Sequence, residues 1–545
     1  MKAPASQRDS DISLLALLAT CASMTAFLYY LRHAQVLLYG DAVAHINIAR
    51  RVFDSRSPGP LQLGTVWLPL PHLLMIPFII SNQSWQTGAG GSVPSMVAYV
   101  LGVVGIFRLM RSATSFNLPP DSSSRIAAWI AAGIYAANPN LLYLQSTAMT
   151  ESLYLALFVW ALVYFTGFVQ QTAFPAPREE SKAAASLIKC GLCLAGACLT
   201  RYDGWFLAGL IVIAALFFVL NEGPRRGNTR SAFRKFVLIS AAAPILWFLY
   251  NAVVYRNPIE FASGPYSAQA IEQKSPEVHP GTKNLAVAAT YFMKAAETNL
   301  VESYWQKAWL LLAFVGTVLM LLDRRIWPLL LLWTPLPFYA LSVAYGSVPI
   351  YVPAWWPFSY YNVRYGIELL PAFAGFLGLA IYFGCRFARN SLGKLVTAVV
   401  VIALAAGSYA AVWRTEPVCF REAWINSRTR IALETQVADV IKQLPADSTI
   451  LMYLGNHVAA LEQAGVPLKR TINESDHRAW KRPSDPDGLW EKALADPAKY
   501  ADFVVTFEGD PVSQAMKDHK LFTIEVLHAY GQASATIYLT NPIQR

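Results

Sequence analysis

Five charged side chains stand beside long apolar runs, and their types suit one reaction. They are Asp41 in LLYGDAVAHINIARRVF, Glu151 in QSTAMTESLYLALFVW, Arg201 and Asp203 in LTRYDGW, and Arg364 in WWPFSYYNVRYGIELLPAF. A charge held at membrane depth is costly, and that cost makes it a functional candidate by default. A carboxylate such as Asp41 can take a proton from an acceptor hydroxyl. A guanidinium presents a planar fork that fits an anionic phosphate, and a departing phosphate is a weak base that needs no general acid. Such groups suit attack by a hydroxyl on an anomeric carbon carrying a lipid phosphate. The oxocarbenium-like transition state would be stabilised electrostatically.

Each residue also has a plain structural reading. Asp41 follows the helix-breaking Gly40 and suits an N-cap. His45, one turn on, is a polar residue on that helix face or a partner to Asp41. Glu151 is a favourable anion at a helix start, with Thr150 or Thr147 capping. Arg201 and Asp203 can pair with each other and snorkel, and Arg364 with Tyr365 falls among aromatics that suit an interfacial belt. What favours chemistry is that the expected topology puts all five charges on one side of the membrane.

That topology follows from composition. The chain has 545 residues, 55% of them hydrophobic and only 14% charged, against about 25% charged in an average soluble domain. The apolar residues come in blocks of the length that crosses a hydrocarbon core of about 30 Å. The expected fold is therefore mostly α, a polytopic bundle of about eleven spans: 12–31, 93–110, 125–137, 149–168, 183–200, 205–220, 236–255, 305–322, 326–345, 365–383 and 395–413. The formal net charge of +10 does not indicate nucleic acid, because the basic residues cluster in short loops between blocks. With the N-terminus in the cytoplasm, loops 108–125, 178–189, 225–235, 323–325 and 386–394 fall inside, and each is rich in Lys or Arg as the positive-inside rule requires.

The opposite loops are aromatic, Pro-rich and marked by isolated charges. Within the first, at 32–92, WLPLPHLLMIPFII (Trp67 to Ile80) is too short and Pro-rich to span and is expected as a re-entrant or interfacial helix packed on protein. FASGPYSAQAIEQ, with Ser263, Gly264 and Tyr266, is expected to be a flexible substrate loop. After Trp413 the chain turns charged, with strand-like stretches at 449–454, 503–507, 522–527 and 535–539 and helix-like ones at 457–463 and 511–520 that imply a small α/β layer domain. The expected organisation is a membrane domain over 1–413, with its large outer loop at 32–92, and an extracytoplasmic α/β domain over 414–545.

Soluble-enzyme signatures are absent: the sequence contains no GxxxxGK[ST], HExxH or GxSxG, and no GxGxxG follows a strand. Cys190 and Cys193 form a lone CxxC inside an apolar block, which fits a packed small-residue helix face better than a redox or metal site.

The order and sidedness of YGDAVAHINIARR, LGTVWLPLPHLLMIPF, NPNLLYLQSTAMTESLYLALFVWAL, LTRYDGWFLAGL and VRYGIELLPAFAGFLGLA resemble the membrane glycosyltransferases of the GT-C superfold that use polyprenyl-phosphate sugars, in particular the protein O-mannosyltransferase and lipid A aminoarabinose transferase group. The resemblance covers most of 12–413. It implies Asp41 as the catalytic aspartate, Arg201 and Arg364 as donor-phosphate ligands, and Glu151 and Asp203 as supporting groups. It also implies a polyprenyl-phosphate sugar donor and an acceptor that is protein, lipid or glycan. Many relatives carry a second acid directly after the aspartate; here it is Ala42, and a mechanism without metal is the implied one, a divalent ion being the less favoured alternative. A bacterial inner membrane is the expected location. A transporter or flippase moving a lipid-linked solute without chemistry is the rival reading, and a membrane-anchored assembly protein a further one.

Overall fold

In hydrocarbon every backbone N–H and C=O must find its partner within the segment, so apolar blocks become helices. The computed structural model describes residues 5–115, 122–172, 177–221, 226–273, 278–301, 304–323, 326–388, 390–476 and 487–541. The basic loops expected on the cytoplasmic side fall partly at 116–121, 222–225, 324–325 and 389, outside the described residues. Among the described residues, nine helices are long and apolar enough to cross a membrane, and we read the chain as a multi-pass membrane protein. Two of the expected spans are helices too short to cross a membrane. Ser122–Ala136 and Trp305–Met320 are helices of 15 and 16 residues, and at about 1.5 Å per residue neither reaches across a core of about 30 Å.

The sequence suggested no interrupted spans, but two begin as tight 3-10 turns. Trp327–Trp333 precedes the Pro335–Tyr345 helix, and Val363–Leu369 precedes Leu370–Phe387. Proline lies in the first turn of each following helix, where its missing N–H and fixed φ favour a fresh start over a continuous helix.

The chain forms two compact units, each discontinuous in sequence. One comprises Met1–His33, Pro94–Trp247 and Pro265–Glu422; the other comprises Ala34–Val93, Phe248–Gly264 and Ala423–Arg545. The first outer loop therefore shares a unit with the C-terminal region.

In the first unit the Leu370–Phe387 helix is almost wholly buried. Small residues let its neighbours approach closely: a Cβ on Gly316 would overlap the Phe376 backbone, and one on Gly378 would meet Met110 and Ala131. The CxxC lies on the Pro177–Cys198 helix, where Gly191 faces Phe236. This is the packed face the sequence suggested. Outward-facing Ile213, Phe217, Leu238 and Leu246 are exposed, a surface suited to lipid.

The second unit carries a five-stranded mixed sheet: β1 (Ile450–Met452), β2 (Thr471–Ile472), β3 (Phe503–Phe507), β4 (Phe522–Leu527) and β5 (Ala535–Leu539), in the order β2-β1-β3-β5-β4. β1 runs parallel to β2 and β3, and the β5 hairpin closes one edge antiparallel. The fully buried β1, all apolar, and β3, apolar but for Thr506, are what a strand covered on both faces requires. In the same unit the Trp67 to Ile80 segment forms a short helix, Leu70–Met75, and a 3-10 turn, Ile76–Phe78. His72 and Met75 are buried while Leu73, Leu74, Phe78 and Ile80 are exposed.

Candidate active site

Three chain turns in the first unit bring charge together. Arg201 lies in the gap between the Pro177–Cys198 and Asp203–Asn221 helices. The turn is tight: a Cβ on Gly204 would come within 2.5 Å of the Ala197 backbone, so glycine is required. Glu151 opens the Glu151–Thr172 helix, and Asp203 opens its own, each a favourable place for an anion. Arg364 sits in the Val363–Leu369 turn, launched by Asn362 in the left-handed region at φ 57°.

These side chains form one buried cluster. Arg201 Nε lies 3.2 Å from Asp203 Oδ2 and 3.1 Å from Glu368 Oε1, and its Nη1 lies 3.4 Å from Glu151 Oε1. Arg201 also donates to Thr150 Oγ1 at 3.2 Å and to the Tyr339 hydroxyl at 2.8 Å. Arg364 Nε donates to Glu151 Oε1 at 3.2 Å, and its Nη1 lies 3.6 Å from Glu422. Both guanidinium carbons are 4.9 Å from the centre of the Tyr365 ring, which itself stacks on Tyr339 at 5.3 Å. Cation–π contact and planar hydrogen bonding thus fix both guanidinium groups.

Sequence reasoning brought Arg201, Asp203, Glu151, Arg364 and Tyr365 forward, and the structure joins all five. It missed Glu368, Tyr339 and Glu422, and brought Thr150 forward only as a helix cap. Glu368 had a signal, being a lone acid in an apolar run one helical turn after Arg364. Tyr339 had none. Glu422 accepts from the backbone N–H groups of Val363 at 3.2 Å and Arg364 at 3.1 Å, so it braces the turn itself. Two guanidinium groups face four carboxyl groups. One oxygen of Glu151 and one of Glu368 have no hydrogen-bond partner among the described residues. The arginines are preorganised, and their positive charge is strongly offset.

Asp41 and His45 belong to the second unit. The Gly40–Arg51 helix has Tyr39 as its N-cap residue, so Asp41 is one position inside the first turn and does not occupy the cap. His45 is buried, with Nδ1 2.9 Å from His72 Nε2 and its ring 5.0 Å from Trp67. One partner of His45 is therefore another imidazole. Burial, then the neighbouring His45, pushes the His72 imidazole well below the usual histidine range.

The stretch expected as a flexible substrate loop is locally ordered. Ser263 ends the short Glu260–Ser263 helix and donates to Ile259 O at 3.2 Å, and Gly264 N donates to Glu260 O at 2.7 Å. Tyr266 is half exposed, just ahead of the Ser267-capped Ala268–Glu272 helix. Among the described residues, no three His, Cys, Asp or Glu side chains are grouped to hold a metal ion.

No protein-family model matches the sequence, and no curated protein matches it. Solved structures do. ArnT from Cupriavidus metallidurans bound to undecaprenyl phosphate aligns with a TM-score of 0.54 at 12% identity, covering 95% of this chain and 98% of that one. The same protein in the apo state gives a TM-score of 0.52 at 13% identity, covering 94% and 97%. The Archaeoglobus fulgidus oligosaccharyltransferase in complex with zinc and sulfate gives 0.51 at 12% identity, covering 96% of this chain and 73% of that one. At these identities the likeness is one of fold: the chain has the GT-C fold, a polytopic helical membrane region with a C-terminal α/β region.

Proposed function

We propose that the protein is an integral membrane glycosyltransferase that moves a sugar from a polyprenyl-phosphate donor to an acceptor hydroxyl. The observation that carries this reading is the pair of arginines, Arg201 and Arg364, joined through Glu151 and sharing the Tyr365 ring in a chain of GT-C fold. Support also comes from the ArnT neighbour, whose structure holds undecaprenyl phosphate.

In this reading the acceptor oxygen attacks the anomeric carbon as the bond to the donor phosphate breaks, so the configuration inverts. Asp41 accepts the hydroxyl proton. Arg201 and Arg364 hold the departing phosphate through charge-assisted hydrogen bonds. Glu151, Asp203 and Tyr365 hold the arginines, and His45 supports the Asp41 helix. Ser263, Gly264 and Tyr266 are assigned to substrate contact. No step is assigned to a divalent ion, because the phosphate leaves without Lewis-acid help. The bacterial inner membrane, with the C-terminal region outside, is the proposed setting.

The test is a panel of radiolabelled polyprenyl-phosphate sugars given to the purified protein in lipid together with crude membrane acceptors. Release of label from one donor into an acceptor supports the reading. If no donor is consumed while a fluorescent lipid-linked sugar is moved across the bilayer, the protein is a flippase instead.

A further inference from the structure

The second unit wires the helix that carries Asp41 to the C-terminal region through a buried polar contact. Asn47, further along the Gly40–Arg51 helix, is 2% exposed, and Glu462, on the Ala459–Ala464 helix, is 1% exposed. Asn47 Nδ2 donates to Glu462 Oε2 at 2.7 Å and to Val43 O at 2.8 Å, while Asn47 Oδ1 accepts from Trp85 Nε1 at 3.1 Å. Both amide protons and the amide oxygen are therefore used, and Trp85 is fully buried. A hydrogen bond in such apolar surroundings fixes geometry more strongly than a solvated one.

Other contacts from the C-terminal region reach both ends of the same helix. Arg430 donates to Leu38 O at 3.0 Å, ahead of the helix start, and is itself held by Glu434 at 2.6 Å. Past the middle, Arg51 Nη1 donates to Ser475 Oγ at 3.1 Å, Arg56 Nε to Thr471 O at 3.1 Å, and Ser57 Oγ to Asp476 at 3.1 Å. Those outer contacts involve partly exposed groups, which contribute little individually. The Asn47 contact with Glu462 is buried on both sides.

We propose that Glu462 is a positioning residue for Asp41, setting the Gly40–Arg51 helix through the Asn47 amide. The C-terminal α/β region then serves as the scaffold of the catalytic loop. The catalytic part of this inference rests on the assignment of Asp41 as general base; the structural part does not.

The experiment uses the full-length protein in lipid nanodiscs and reads amide hydrogen exchange in peptides covering 40–51, with peptides from 151–172 as reference. E462A and N47A each break the contact from one side, whereas E462Q keeps a neutral carbonyl acceptor of the same shape. The expected result is at least about a tenfold faster exchange in 40–51 for both disrupting variants, with 151–172 unchanged and E462Q close to the wild type. Once a donor is found, E462A should lower kcat by at least about tenfold with donor KM little changed, and E462Q should restore it. Unchanged exchange in 40–51 overturns the proposal, as does an equal rise in 151–172, which would make Glu462 a residue of general stability. If the exchange result holds and the wild type consumes no donor, the transfer reading fails while the positioning role stands.

Discussion

Glu151 Oε1 lies 3.2 Å from Arg364 Nε and 3.4 Å from Arg201 Nη1, so one fully buried carboxylate oxygen couples two guanidinium groups from different turns. Removing it leaves buried guanidinium donors without their shared acceptor, while Asp203, Glu368 and Glu422 still offset the charge, at a cost of about 1–3 kcal/mol. E151A is expected to destabilise the protein by that order, and E151Q by less, because the amide oxygen still accepts from both arginines. Thermal unfolding in detergent checks this. In a double-mutant cycle of E151Q with R364Q, a coupling on the order of 1 kcal/mol or more is expected; a coupling near zero would mean the two groups do not interact in solution.

Arg364 and Lys are not interchangeable at this site. A lysine would lose both the planar fork and the contact with the Tyr365 ring. R364K is expected to weaken binding of polyprenyl phosphate by about tenfold or more, which is about 1.4 kcal/mol. Y365F should keep the affinity, whereas Y365L should lower it by about 0.5–2 kcal/mol. A fluorescent polyprenyl phosphate in nanodiscs gives the affinities directly, and equal binding by R364K and wild type would remove Arg364 from the phosphate site.

Stability of the second unit should depend on pH through Glu462. Burial is the main cause that pushes this carboxyl from 4.5 up to about 8. The Asn47 hydrogen bond opposes the rise, Glu434 adds to it, and Arg430 opposes it. The imidazole of His457 lies 3.8 Å from Glu434 on the same side. A carboxyl with a raised folded pKa holds its proton more tightly folded than unfolded. Stability therefore falls as pH rises between about 4.5 and 8, by an amount on the order of a few kcal/mol. E462Q should flatten that slope and be more stable than the wild type at pH 8. Denaturant melts followed by exchange in 459–464 measure both, and parallel pH profiles for the two proteins would contradict the assignment.

Gly366 tests the turn that presents Arg364 and Tyr365. A Cβ there would overlap the backbone of Ala295, so G366A must shift the Val363–Leu369 turn or the Leu285–Thr298 helix. Overpacking of this kind costs about 1–3 kcal/mol. The expected outcome is a lower unfolding temperature together with weaker polyprenyl-phosphate binding. A variant that melts lower but binds normally would show that the turn can yield without moving the arginines.

Much of this was legible because membrane spans announce themselves by length and apolarity. In the C-terminal region the patterns at 503–507, 522–527 and 535–539 coincide with β3, β4 and β5, since alternation or a short apolar run bounded by turns is a local signal. The two-residue β2 had no such signal, being set by its partner β1. Arg201, Asp203, Glu151 and Arg364 stood out as isolated charges in apolar sequence. Tyr339 and Asn47 did not, because their importance comes from what they touch: two acids and an arginine for Tyr339, and Glu462 and Trp85 for Asn47. Contacts between residues so distant in sequence leave no trace in a single chain. The pairing of the first outer loop with the C-terminal region escaped the sequence reading for the same reason.

The most direct measurement is single-turnover donor consumption by the wild type and D41N in nanodiscs, with donor binding measured on the same samples. The account predicts that D41N binds a polyprenyl-phosphate sugar as tightly as the wild type and fails to transfer it, a rate loss of at least about a hundredfold for a missing general base. Transfer by D41N at the wild-type rate would contradict it.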